Sequence, residues 1–433
     1  MQRVFSETRK RILLKRLIFA WRDAKKAEMN VEETRSRPYR AYSSDLGSLY
    51  LRSDGIKVLD LIVSELKSNA EIGPKFSNRY LEVLIEKCLL RLLKVEERDI
   101  EIKSQEELDS LLTVLSSQAV DWRIIAPIEN LNLGVAELEI GVVKFLNFDN
   151  AAKSRMVGEF RLSENETGLR TMVDEELDSL LNVVCAEVAV SAVDGTRAEE
   201  IGTEMIETAL DVLRFYQLSS LVPHPFFAKN YFGIKGNLHR DMTSFLMFED
   251  YTNIKSCACS HHARGPMRPF TIAQNELKGM VTDNLHVVSD ILMKSEKSRT
   301  NFERDLVAAI HFCSLSLREG SIAEMFVSSV IALEALMLDE HEAITDNLAE
   351  RVALIVGKDL DERKWLFAEM KRLYQIRSSI VHSGNTDIRL SDLLFLQKQI
   401  VYRCIVNLLG LFQAEGIFNT SRLAEYIRDR KFR

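Results

Sequence analysis

Arg377 and His382 stand with four residues between them in the run YQIRSSIVHSGN, residues 374–385. A histidine that titrates near neutrality can move protons, and a fixed guanidinium can grip a phosphate at two points. Those are the needs of metal-independent RNA cleavage. The 2′-hydroxyl must lose a proton, the charge on the phosphorane must be stabilised, and the departing 5′-oxygen must gain a proton. Ser378 lies one helical turn before His382 and is a candidate hydrogen-bond partner for it.

The placement of the pair adds to its chemistry. Leu366, Met370, Leu373, Arg377 and Ile380 fall on one helical seam, so an arginine occupies a place expected of a core residue. A charge there is costly unless it is paired or used. His382 precedes a Ser383-Gly384-Asn385 stop, at a helix end that attracts positive charge. Five residues at about 100° each set the two side chains about 140° apart on one helix. A single helix therefore presents them poorly to one phosphate, whereas two copies related by symmetry assemble one site. The spacing alone also suits a purely structural pair, with Arg377 held by a buried acid such as Glu334 and His382 capping a helix.

Other residues invite a chemical reading. Cys257, Cys259, His261 and His262 form CACSHH, and in an extended strand positions 257, 259 and 261 face one side. A structural zinc site draws ligands from two separated segments, and no second cluster is visible, so an ordinary loop is the plainer reading and no cofactor is expected. His224, between prolines in VPHPFF, reads as a rigid loop residue. Arg304 and His311 form a looser pair, six residues intervening, and read as helix surface. No phosphate-binding Gly-x4-Gly-Lys loop and no Gly-x-Ser-x-Gly elbow occurs.

The elements that must carry these residues can be read from periodicity. Residues 1–119 read as helices, broken near Pro38 and at Gly73-Pro74. At Val120 the pattern changes to β-branched and partly alternating residues through Phe148, and 183–193 is a further strand candidate. Asp194-Gly195 then turns the chain into a long helix over 196–216. From 299 onward, helix follows helix: 301–319, 321–338, 344–356, 361–381 and a final one over 391–415. The expected fold is mainly α, with a smaller α+β middle region at 120–298 and a C-terminal antiparallel helical bundle at 299–433.

Composition sets outer limits. A chain of 433 residues exceeds one compact core. Its 57 basic and 64 acidic residues, net charge −7, exclude a surface coated in positive charge but not a local patch. The basic stretches 9–26 and 422–433 read as a solvated helix face and a frayed tail. No apolar run is long enough to span a membrane, and the N-terminus lacks the pattern of a signal peptide. Six scattered cysteines suit a reducing cytoplasm.

The surroundings of Arg377 resemble the Apea-like kind of HEPN domain. The resemblance runs over 327–384. It takes in Ala332-Leu333-Glu334, the Arg351 helix ERVALIV, Glu362-Arg363 at the next helix start, Tyr374, and Arg377 through His382 with Gly384. It covers about the last 130 residues, and 127–148 with 192–200 more loosely resembles the β-rich segment upstream in such proteins. What it implies is a dimerising helical bundle with a composite ribonuclease site, in which Arg377 binds phosphate and His382 is the acid and base. Tyr374, Ser378 and Glu334 would support them, Glu334 and Arg351 as structural partners inside the bundle. Many relatives act in antiviral defence or toxin–antitoxin growth arrest. The implied partners are RNA, tRNA among its forms, a second copy of the chain, and a regulatory protein or phage-derived trigger. Many such nucleases carry Asn, Asp or His directly after the motif arginine, where this chain has Ser378. The family also includes binding-only members, so a non-catalytic scaffold in a defence or regulatory complex is the alternative.

Overall fold

The structure is a computed structural model that describes residues 5–29, 39–44, 47–159, 167–220, 232–235, 243–249, 256–262, 270–318, 321–338, 344–384, 387–416 and 420–432. It is mostly helical with a small antiparallel sheet. The chain divides into two compact units. The first comprises Met1–Arg123, Ala189–Gly202 and Met247–Ser256, and the second the remainder. Residues on both sides of the expected 298/299 boundary lie in the second unit.

In the first unit, α1 (Glu7–Met29), α2 (Ser53–Lys67), α3 (Asn78–Leu92) and α4 (Ile100–Leu115) bury one apolar face each. The expectation of helix alone is corrected by a hairpin, β1 (Tyr39–Ser44) and β2 (Gly47–Arg52), paired antiparallel from Tyr39↔Arg52 to Ser44↔Gly47. Leu49 and Leu51 alternate inward and join Leu13, Leu17 and Trp21 in one core. The hairpin end is held by Asp23, a buried carboxylate that accepts from the Arg52 backbone N–H at 2.9 Å and from its Nε at 3.1 Å. Gly55 is required at this point, because a Cβ there would run into the Asp23 carboxylate. Asp194 accepts the Arg197 N–H at 2.9 Å as a helix cap. It also accepts from the Ser77 hydroxyl at 2.8 Å, so the expected turn is tied to the start of α3.

The second unit carries most of a seven-stranded sheet, built from β3 (Val120–Glu129), β5 (Glu137–Ile140), β6 (Val143–Phe148), β7 (Val183–Ala192), β8 (Gly233–Ile234), β9 (Thr243–Glu249) and β10 (Ser256–His262). Strands follow the order β10-β9-β3-β7-β6-β5, with β8 beside β3. Short β4 (Leu131–Leu133) pairs in parallel with β11 (Phe270–Ile272). Residues Ile124 through Ile128 are all buried, so β3 is covered on both faces. That is why its sequence alternates only in part. Between the strands lie α5 (Asn150–Glu159), α6 (Thr167–Ser179) and α7 (Gly195–Ser220), and after them α8 (Gln274–Thr282) and α9 (Leu285–Met293).

The C-terminal helices are α10 (Asn301–Arg318), α11 (Ile322–Met337), α12 (Ile344–Val356), α13 (Leu360–Ser383), α14 (Leu390–Leu394), α15 (Arg403–Glu415) and α16 (Thr420–Lys431). α10 packs along α11, and α12 along α13. A capping box, Ser321 with Glu324, starts α11. The expected final helix over 391–415 differs in two respects. A π-helical stretch, Phe395–Tyr402, interrupts it, and α16 follows it. The basic tail is therefore not frayed: Leu423 and Ile427, four residues apart, are buried while the charges face out. Among the described residues no helix is long and apolar enough to cross a membrane.

Candidate functional site

The arginine–histidine pair rides on α13. Asp359 caps the helix by accepting the Glu362 N–H at 2.8 Å, and the Glu362 carboxylate accepts the Lys358 N–H at 2.8 Å. Leu366, Met370 and Leu373 then anchor one face with no exposed surface. The next position on that seam is Arg377, whose side chain is 21 % exposed. It meets Glu334 on α11, with Nη2 3.2 Å from Oε2. Its guanidinium lies 5.7 Å from the centroid of the Tyr374 ring. Burial, and after it the Glu334 carboxylate, pushes the Tyr374 hydroxyl above the usual tyrosine range, with Arg377 opposing. Arg377 Nε and Glu334 Oε1 are buried without a hydrogen-bond partner among the described residues. The ion pair thus leaves a donor and an acceptor unused.

His382 is exposed in the last turn of α13. It makes no hydrogen bond or ion pair among the described residues. Gly384 closes the helix in the left-handed region, φ 66°, and its N–H donates to the Ile380 carbonyl at 3.0 Å. Ser378 is half-buried and makes no hydrogen bond to His382. The neighbouring Ser379 and Ser383 hydroxyls pair at 3.2 Å instead. The structure therefore brings together Arg377, Glu334 and Tyr374, and sets Ser378 and His382 apart from them. Arg351 donates from Nη1 to the Met337 carbonyl, tying α12 to the end of α11.

The remaining sequence candidates divide. Cys257, Cys259, His261 and His262 lie on β10, in the extended backbone that puts alternate residues on one side. Their side chains, like His224 and Asn385, lie outside the described residues. Among the described residues no group of acidic, histidine or cysteine side chains could hold a metal ion. Cys88, Cys185, Cys313 and Cys404 are free and buried, Cys185 on a strand rather than a helix.

One constellation escaped the sequence reading. His311, read as helix surface, places Nδ1 2.7 Å from the Asp211 carboxylate. Asp211 is held from behind at 2.8 Å by Arg214, which has no exposed surface. Arg214 also meets Glu207 at 3.1 Å and donates to the Phe232 carbonyl from Nε and Nη2, at 3.1 and 2.9 Å. The sequence carries a signal for the α7 half of it, though none for its contact with His311. In α7 the apolar run 209–218 is interrupted by Asp211, Arg214 and Gln217 at three-residue spacing, and all three are buried.

With this geometry in hand, comparison with known proteins adds nothing: no protein-family model, no curated protein and no solved structure matches the chain.

Proposed function

We propose that residues 299–433 form a HEPN-type bundle and that the chain is a metal-independent endoribonuclease, acting in the cytoplasm in antiviral defence or growth arrest. Arg377 is the phosphate-binding residue and His382 the proton-transfer residue, with a second copy of the chain completing the site. The observation that supports this reading best is Arg377 itself. A guanidinium set into an apolar seam, braced by Glu334 and Tyr374, retains a donor that no described residue accepts. A phosphate oxygen is an acceptor of the right charge for it. The exposed His382 at the helix end is free to meet RNA or a partner copy. The sequence resemblance supports the bundle type.

A second reading has an observation of its own. The Arg377–Glu334 ion pair is also what a structural arginine makes, which favours a non-catalytic scaffold that dimerises or binds RNA. The two separate on cleavage. The nuclease reading expects Arg377→Ala and His382→Ala to lose RNA cleavage, with helix content and oligomeric state retained by His382→Ala. The scaffold reading expects no cleavage by the wild type and altered assembly in Arg377→Ala alone.

A further inference from the structure

Helix α1 of the first unit turns two different chemistries to its two sides. Leu13, Leu17, Trp21 and Ala24 are buried in the core of that unit. On the other side Arg11, Lys15, Arg22 and Lys26 are exposed. At about 100° and about 1.5 Å per residue, these four fall within about 60° of arc, with axial spacings of about 6, 10 and 6 Å. That repeat is on the scale of successive phosphates along an extended strand. Phe19, 48 % exposed, stands inside the row, and Ile12, 40 % exposed, lies along the same edge. Arg16 Nη1 donates to the Leu61 carbonyl at 3.2 Å, which brings Leu61 of α2, 50 % exposed, to that edge.

Among the described residues none of the four cations is in an ion pair, and the acids of α1 and α2 are placed elsewhere. Glu7 meets Lys10 at 3.6 Å, and Glu65 meets Arg16 at 3.5 Å and Arg9 at 3.6 Å. Asp23 is buried against Arg52, and Asp54 pairs with Lys57. Asp60 lines a cleft with Val63, Ser64 and Lys67 that no α1 residue lines. Glu28 lies about 140° round the helix from Lys15. A membrane surface takes up the apolar face of a basic helix, and here that face is spent on the core. A single strand of nucleic acid needs only what is left, cations for its phosphates and a ring on which a base stacks.

We propose that this face of α1 docks single-stranded RNA. The phosphates meet Arg11, Lys15, Arg22 and Lys26, and a base stacks on Phe19 beside Ile12 and Leu61. A duplex offers Phe19 no free base face, so the strand is unpaired. The inference rests on the nuclease reading only in taking the strand to be RNA rather than DNA.

The test is fluorescence anisotropy of a labelled RNA strand of about 12 nucleotides. The full chain carries His382→Ala, so the probe stays whole whatever the chain's own activity. Saturable, salt-sensitive binding is expected. Lys15→Gln with Arg22→Gln should weaken it and lower the slope of log affinity against log salt by about 1.4, two phosphate contacts of a single strand. Phe19→Ala should weaken it about tenfold without changing that slope. Arg98→Gln, an exposed arginine already paired with Glu96 and Asp99, should leave it unchanged. The positions changed are exposed, and an unaltered unfolding midpoint checks that the fold is kept. No binding, or equal weakening by Arg98→Gln, overturns the proposal. So does tighter binding of the annealed duplex or of the matching DNA strand. Binding to phosphatidylserine vesicles with none to RNA overturns it and assigns the face to a membrane. The expected pattern in a chain that cuts no RNA upholds this inference and sinks the nuclease reading, whereas cleavage by a chain whose RNA binding ignores these substitutions does the reverse.

Discussion

Two arginines of the second unit sit among helices in opposite ways. Arg214 is fully buried, with Glu207, Asp211, Ser314 and the Phe232 carbonyl around it. Arg377 is partly exposed and, among the described residues, meets one acid and leaves its Nε without an acceptor. The histidines invert the pattern. His311 is fixed by the carboxylate that Arg214 holds, while His382 stands exposed with no hydrogen bond or ion pair among the described residues. Where the guanidinium's donors are largely spent on the fold, the chain has made a scaffold that orients another group. Where a guanidinium N–H and a histidine have no partner among the described residues, the nuclease proposal has substrate or a second copy engage them.

The contrast breaks if Arg214 can be removed cheaply. Arg214→Ala leaves Glu207 and Asp211 without their buried counter-charge, and should cost about 3–5 kcal/mol in denaturant unfolding. A loss near zero would make that network as dispensable as a surface pair. Next in size, Arg377→Ala strands Glu334, and should cost about 1–3 kcal/mol while abolishing cleavage. His382 is exposed and makes no hydrogen bond or ion pair among the described residues. His382→Ala should leave the unfolding midpoint unchanged and lower cleavage by about 100-fold or more, the contribution of an acid–base group. A large stability loss in His382→Ala would mean that the histidine is structural.

The smallest effect concerns the start of α13. The Lys358 backbone N–H, and then the Arg403 guanidinium at 2.9 Å, hold the Glu362 carboxyl below its usual range. A lowered folded-state pKa contributes stability that is fully present above the ordinary carboxylate value and is lost as pH falls through the lowered one. Glu362→Gln should therefore cost about 0.5–1 kcal/mol at neutral pH and progressively less below about pH 4. A difference independent of pH would assign the effect to packing rather than charge.

What the sequence revealed and what it hid follow one physical division. Caps are local chemistry, so the start of α11 at Ser321, the stop of α13 at Gly384 and the turn at Asp194 were legible. The β1–β2 hairpin was not, because six-residue strands with two inward leucines give too short an alternation to stand out from helical neighbours. α16 was hidden by its own charge, which masked Leu423 and Ile427. At the candidate site, the apolar seam that places Arg377 could be read, and Glu334 could be named as its acid. The Asp211–His311 contact could not, since it joins positions 100 residues apart and no local pattern encodes it.

The most direct measurement is incubation of the purified chain and of His382→Ala with total RNA and with tRNA in EDTA, followed by analysis of the fragment ends. The nuclease reading expects wild-type fragments ending in 2′,3′-cyclic phosphate and none from the variant. Equal cutting by both proteins, or no cutting by the wild type, would contradict it.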